Sequence, residues 1–194
     1  MAKYSLLRAG MWRGVLQLND STELPFTFEI DYKTRASSLT VINASERIVV
    51  EAFRQNDDSV HWAMPVFNTQ FRCRKESDTT FSGEWYNTAA SKPYTLKFRA
   101  EYKQPRIPGN FICTGVSNFT GKYECTFSPG LKGESKAIGL FNLEKNGTYT
   151  GTFATEYGDY RFLEGGYTGC SEMALSIFDG QFAMLFTARM IFLA

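Results

Sequence analysis

The chain predicts an all-β protein: an antiparallel meander, folded as a sandwich or a barrel and built from two similar halves. Three observations predict it. Apolar and polar residues alternate with a period of two along most of the chain, and no convincing amphipathic helix interrupts them. Residues suited to pleated sheet are abundant, with 17 Phe and 10 Tyr among 194 residues. The chain also repeats itself. Phe67-Asn-Thr-Gln-Phe71 and Phe178-Asp-Gly-Gln-Phe182 lie 111 positions apart, inside the longer similar stretches Ser59–Phe71 and Ser171–Phe182.

Taken in order, the predicted strands are Val15–Leu18, Phe26–Ile30, Leu39–Ile42, Arg47–Phe53, Val60–Phe67, Phe71–Lys75, Phe81–Tyr86 and Tyr94–Tyr102. A Pro/Gly-rich connector, Pro105-Arg-Ile-Pro-Gly-Asn110, follows. The pattern then resumes with Gly121–Phe127, Ala137–Glu144, Thr148–Thr155, Tyr160–Gly166, Glu172–Phe178 and Phe182–Met190. Asn146-Gly147 and Asp179-Gly180 read as type I′ hairpin turns, which need φ > 0 at both central positions. Asn68-Thr69 occupies the place of Asp179-Gly180 in the first copy, and Thr tolerates that geometry poorly, so a looser loop is expected there.

The repeat extends over each half. Gly10-Met-Trp12 matches Gly121-Lys-Tyr123, Pro25–Phe28 matches Ile138–Phe141, and Glu46–Val49 matches Tyr160–Leu163. The halves are placed at 1–104 and 119–194, joined by a connector over 105–118; they either share one domain or form two packed lobes. The strand Thr80–Trp85 of the first half finds no second copy, because its equivalent would begin near Ile191. The second half therefore reads as truncated by one strand, and the chain as part of something longer.

Charge narrows the classes of function. With 21 basic and 20 acidic residues the formal net charge is +1, without the basic excess of a nucleic-acid binder. No apolar run approaches the roughly 20 residues of a membrane-spanning helix. The start, Met1–Arg8, has too short an apolar core for a signal peptide, which leaves a cytoplasmic protein or one whose leader was removed. Cys73, Cys113, Cys125 and Cys170 form no Cys-x-x-Cys pair; Cys113 and Cys125 could pair across a loop in an exported chain, but free thiols are the plain reading, since free Cys is among the most often buried residue types.

The most visible motif is Gly-x-Trp/Tyr, at Gly10–Trp12, Gly83–Trp85 and Gly121–Tyr123. Glycine admits a bend or a close backbone approach, and the aromatic two residues on points to the same face. Core packing is the plain reading; a cavity lined by Trp12, Trp85 and Tyr123, as in a lipocalin, is the functional one. His61 is the sole histidine and alternates with Val60 and Trp62 on a strand face. Asp159 and Arg161, in Gly158-Asp-Tyr-Arg161, read as a turn cap with an ion pair, for which Glu46 or Glu164 would serve as partner, or as a small recognition site. Arg72 and Arg74 share one solvated strand face. Asn43, Asn118 and Asn146 begin glycosylation patterns. No constellation predicts a catalytic residue, a metal or a cofactor.

Several of these segments together resemble a known family. They are Gly10-Met-Trp-Arg-Gly-Val15, Glu23–Glu29, Asn43 with Glu46-Arg-Ile48, Asp58-Ser-Val60, Gly139-Leu-Phe141, Gly151-Thr-Phe153, Gly158–Gly165 and Leu175–Gly180. The pattern, over roughly Ala9 to Arg189, resembles the β-rich N-terminal region of envelope proteins from Bacteroidetes-type bacteria that carry a C-terminal thioredoxin-like, TlpA-type thiol-disulfide oxidoreductase domain. The Gly-Asp-Tyr-Arg and Ser-x-Phe-Asp-Gly blocks are its most specific parts. The resemblance implies a non-catalytic accessory module in the periplasm or cell envelope, which scaffolds the oxidoreductase or recognises its protein client. The family's Trp-Cys-x-x-Cys motif is not in this sequence, so no catalytic residue is carried over. A carrier of small apolar ligands is the alternative.

Overall fold

A computed structural model describes residues 6–32, 37–88, 90–109 and 118–190 of the protein, and the described residues form strands and turns without a helix. The strands are β1 (Gly10–Gln17), β2 (Glu23–Asp31), β3 (Ser38–Asn43), β4 (Glu46–Val50), β5 (Arg54–Gln55), β6 (Ser59–Ala63), β7 (Thr69–Lys75) and β8 (Thr80–Asn87). They continue with β9 (Tyr94–Tyr102), β10 (Gly121–Phe127), β11 (Ser135–Leu143), β12 (Tyr149–Thr155), β13 (Gly158–Gly169), β14 (Glu172–Phe178) and β15 (Ala183–Arg189). All fourteen predicted strands are present. The additional one, β5, pairs through only two residues, too few for any periodic pattern to show in the sequence. The strand predicted over Val60–Phe67 stops at Ala63: Pro65 has no N–H to give a ladder, and Val66 takes φ +71°.

The chain divides into two compact units, Met1–Arg106 with Phe178–Met184, and Ile107–Ile177 with Leu185–Ala194. Each holds one antiparallel meander sheet. The first runs β4-β3-β2-β1-β9-β8-β7-β6-β5, and the second β10-β11-β12-β13-β14-β15.

Connectivity dictates how the first sheet curls. Strands β4 and β5 stand at its two ends, yet only Glu51, Ala52 and Phe53 lie between them in the chain. Nine strands laid flat would put those ends about 38 Å apart. Four Cα steps reach at most about 15 Å. The sheet must therefore roll up until its first and last strands nearly meet, with one open seam between β4 and β5. What fills the roll is aromatic. Trp12, Trp62, Trp85, Phe26, Phe28, Phe71 and Phe81 point inward from alternate positions and are at most 1% exposed. Trp62 stacks on Phe71 with ring centres 4.1 Å apart, and Phe98 meets Phe71 edge-on at 4.8 Å. Burying one indole is worth at most about 5 kcal/mol by area.

The repeat seen in the sequence is carried into the strands. Gly10 and Gly121 open the first strand of each sheet with φ +119° and +145°, values that favour glycine, and each is followed two residues on by its inward aromatic. The matched segments fall on β2 and β11, on β4 and β13, and on β6 and β14, with Gln70-Phe71 inside β7 and Gln181-Phe182 just before β15. Strands β8 and β9 have no counterpart among the described residues of the second sheet, and the strand expected near Ile191 lies outside those residues.

Both predicted type I′ turns are built differently. At Asn146-Gly147 only the glycine has positive φ (+84°); Glu144 N–H bonds to Thr148 O (2.8 Å) and Gly147 N–H to Glu144 O (3.0 Å), so this loop is longer than two residues. At Asp179-Gly180 only Gly180 has positive φ (+101°), and the Asp179 carboxylate accepts N–H bonds from Gln181 (2.8 Å) and Phe182 (2.7 Å). A side-chain cap on a four-residue loop replaces the tight turn. The matching first-copy loop, between Ala63 and Thr69, is one residue longer and takes its positive φ at Val66.

Candidate functional site

The polar centre of the first unit lies where Phe178–Met184 meets the rolled sheet. The Phe178 ring stands 4.6 Å from Phe26, 5.4 Å from Trp85 and 5.7 Å from Phe71, and is fully buried. Three buried polar side chains hold the backbone around it. Asn43 works in both directions, with Nδ2 donating to Phe178 O (2.9 Å) and Oδ1 accepting from Phe178 N–H (3.3 Å). The Thr69 hydroxyl donates to Gly180 O (2.5 Å), and Asn87 Nδ2 to Gln181 O (3.1 Å). Thr69 and Gly180 are equivalent positions of the repeat, so the two hairpin tips grip each other. Gly180 is tight as well: a Cβ there would stand 2.8 Å from Met64 Cε. Bonds to main-chain carbonyls recognise a turn by its shape rather than its side chains, and Phe178 supplies the apolar anchor.

Arg106 ties the end of the first unit to the same region. Its guanidinium donates to Ile42 O (3.1 Å) and Asn43 Oδ1 (3.4 Å), while its carbonyl accepts from Arg13 Nε (3.1 Å). Arg13 also pairs with Glu101 (3.1 Å), and its own burial pulls its pKa down, against that pairing. Burial likewise lowers the pKa of Lys75, which is 4% exposed, with the nearby charges of Asp57 and Asp58 opposing the shift.

The residues singled out in the sequence fall in separate places. Trp12 and Trp85 are fully buried in the first unit, packed against rings on several sides. Tyr123 is half-buried on β10 and rests on Phe141 at 5.8 Å. Asp159 and Arg161 pair with each other, at 2.7 and 3.0 Å, so the expected partners Glu46 and Glu164 are not needed: two residues apart on a strand, the side chains share a face. His61, on β6, is exposed and contacts Gln70 (3.2 Å). Arg72 and Arg74 are exposed on β7, as their alternation predicts.

The cysteines answer a question the sequence leaves open. Cys125 is a free, half-buried thiol, so it takes no part in the pairing suggested with Cys113, which lies outside the described residues. Cys170 is disulfide-bonded, and Cys73 is free and buried, which pushes its thiol pKa well up. Of the glycosylation patterns, Asn43 is spent on internal hydrogen bonds and fully buried, whereas Asn118 and Asn146 are exposed.

The second unit has its own polar cluster. Tyr149 OH lies 2.7 Å from Tyr167 OH, accepts from Phe119 N–H (3.2 Å) and reaches Asn118 Oδ1 (3.3 Å). Burial, then the bond to Tyr149, pushes the Tyr167 pKa up to about 12. Among the described residues no group of three or more His, Cys, Asp or Glu side chains is placed to hold a metal ion, and no helix is long and apolar enough to cross a membrane.

The grip of Asn43, Thr69 and Asn87 on the turn was not foreseen. Its one signal in the sequence is Thr69, a polar residue at the repeat position otherwise held by glycine. No family model, no curated protein and no solved structure matches the chain.

Proposed function

We propose that this chain is a non-catalytic accessory module of a cell-envelope thiol-disulfide system, which scaffolds a thioredoxin-like oxidoreductase or recognises its protein client. The observation that carries the reading is where the signature segments spend their side chains. Phe178 of Ser176-Ile-Phe-Asp-Gly180 is a core anchor, Asp179 caps its own turn, and Asp159 and Arg161 of the other block neutralise each other. Residues that define the resemblance serve as framework, as expected of a domain whose partner does the chemistry. The disulfide at Cys170 fits an oxidising compartment such as the periplasm. The rival carrier reading draws no support from the first unit, where the rings of Trp12 and Trp85 have other rings, not space, around them.

The test is a coupled disulfide-reduction assay with this chain, a TlpA-type thioredoxin-like domain and an oxidised protein client. The chain alone should turn over nothing. Added in trans, it should lower the KM of the oxidoreductase for the protein client and leave its rate with a small disulfide unchanged. Turnover by the chain alone, or no effect on the protein client together with no binding to either component, overturns the proposal.

A further inference from the structure

The second sheet lacks what closes the first. In the first, β1 pairs with β9, β9 with β8 and β8 with β7, so the β8–β9 hairpin leaves no open edge on either side of it. By the repeat, β10 stands in the place of β1 and β15 in that of β7, and among the described residues each is paired on one side only. The inward side chains show the same lack. Trp12 and Leu16 of β1 are fully buried: Phe81 of β8 stands 5.3 Å from Trp12, and Phe98 of β9 lies directly opposite Leu16. Their equivalents on β10, Tyr123 and Phe127, are only half-buried, as is Phe186 on β15. The edge of β15 is also unguarded. Ala183-Met-Leu-Phe-Thr-Ala188 has neither a charge nor a proline, the usual means of keeping an open strand from pairing.

We infer that β10 and Leu185–Arg189 of β15 accept a β-hairpin from a protein partner, which completes the second sheet as β8 and β9 complete the first. The first copy sets the chemistry of the occupant. Its two strands run antiparallel to each other and to the edges they join, and every second side chain, aromatic or aliphatic, faces inward over Tyr123, Phe127 and Phe186. Charge fixes one further position. In the first sheet Arg13 faces Glu101 across the β1–β9 pair and bonds to it at 3.1 Å. Glu124 takes the place of Arg13 on β10, with the sign reversed. It is exposed, and among the described residues no cation lies within 4.0 Å of its carboxylate. The incoming strand therefore carries Lys or Arg opposite Glu124. Main-chain bonds to the two edges hold the hairpin, and the apolar face and the cation select it. A second copy has no free β8–β9 to offer, since its own is paired on both outer sides. This surface does not depend on the redox reading, and each fails by its own assay.

The test uses a labelled synthetic hairpin, residues 80–102 of this chain with Glu101→Lys, and the same peptide with Glu101 kept. Hydrogen exchange read by mass spectrometry should slow at β10 and Leu185–Arg189 by at least roughly 10-fold when the Lys peptide is added, with β1 and β9 unchanged. In fluorescence anisotropy the native chain should bind the Lys peptide about 3-fold to 10-fold more tightly than the Glu peptide. Glu124→Lys should reverse that order, and Glu124→Gln should bring the two peptides within about 2-fold of each other. Circular dichroism checks that the variants fold. Edges that are already protected in the free chain at every concentration overturn the inference. So does protection that rises with the concentration of the chain alone, which gives the edges to a second copy. Protection that falls on β1 and β9, no protection by either peptide, or the same peptide order in the native chain and Glu124→Lys overturns it as well.

Discussion

The two sheets begin alike and close differently. Each opens on a positive-φ glycine, and each runs through matching strands to a hairpin ending in the Phe-x-x-Gln-Phe block. Between the fourth strand and that hairpin they part. The first sheet breaks there, at the seam between β4 and β5, and regains continuity by pairing β1 with β9. The second passes through the same place in an unbroken ladder, β13 to β14, and among the described residues keeps β10 and β15 as edges. The interiors follow. Of the twelve largest fully buried side chains among the described residues, only Tyr149 belongs to the second unit. Its Phe127 and Phe186, although 6.1 Å apart across the end strands, stay half-buried. One repeated strand pattern thus serves a dry aromatic roll and a wetter open one. The two extra strands β8 and β9 make the difference.

The largest effect should come from the dry interior. Phe71→Ala should cost about 3–5 kcal/mol, and Phe186→Ala less than half of that, because its ring gives up less burial. Urea titration checks both, and all three tryptophans report on the first unit alone. Equal costs would break the contrast between the interiors.

Next comes Asn43→Ala, which leaves the backbone groups of buried Phe178 without their side-chain partner. A loss of about 1–3 kcal/mol is expected, whereas Asn142→Ala, exposed on β11, should stay within about 0.5 kcal/mol. Thermal melts of the pair sharpen how far the first unit depends on Phe178–Met184.

A smaller difference separates two indoles. Trp12 Nε1 donates to Arg8 O (3.0 Å), while Trp85 Nε1 is buried without a partner. Replacement by Phe should therefore cost more at Trp12 than at Trp85, by about 1 kcal/mol in chemical denaturation.

The smallest effect lies at the Glu23–Arg99 pair, both partners about 40% exposed. The bond from Arg99 holds the Glu23 pKa below its ordinary value of 4.5. The stability this brings is therefore complete above that value and fades as the pH falls through the lower folded pKa. Wild type should exceed Glu23→Gln by less than about 1 kcal/mol at pH 7, and the gap should close in acid. A gap that widened in acid would reverse the sign.

Much of the fold could be read from short-range pattern. Alternation located the strands, and the repeat paired them, because a side chain's inward or outward choice shows locally as a period of two. What escaped depends on partners far along the chain. Asn-Gly and Asp-Gly marked both turns, but the loop length came from how the flanking strands pair, and only the glycines took positive φ. Arg161 found the carboxylate of Asp159, two residues away, rather than Glu46 or Glu164. Asn43, Thr69 and Asn87 look like ordinary turn and strand-end residues until Phe178–Met184 arrives beside them. Cys170 carries no spacing signal for its bond.

The pairing of β1 with β9 also has a consequence in time. Trp12 faces Tyr102, so a ribosome adding roughly 5–20 residues per second needs about 5–18 s after making the first to supply the second. Throughout that interval β2 can cover one side of β1 while the other side waits. During synthesis a strand that the finished sheet pairs on both sides is an open edge, and a chaperone that reads open strands would find its target there.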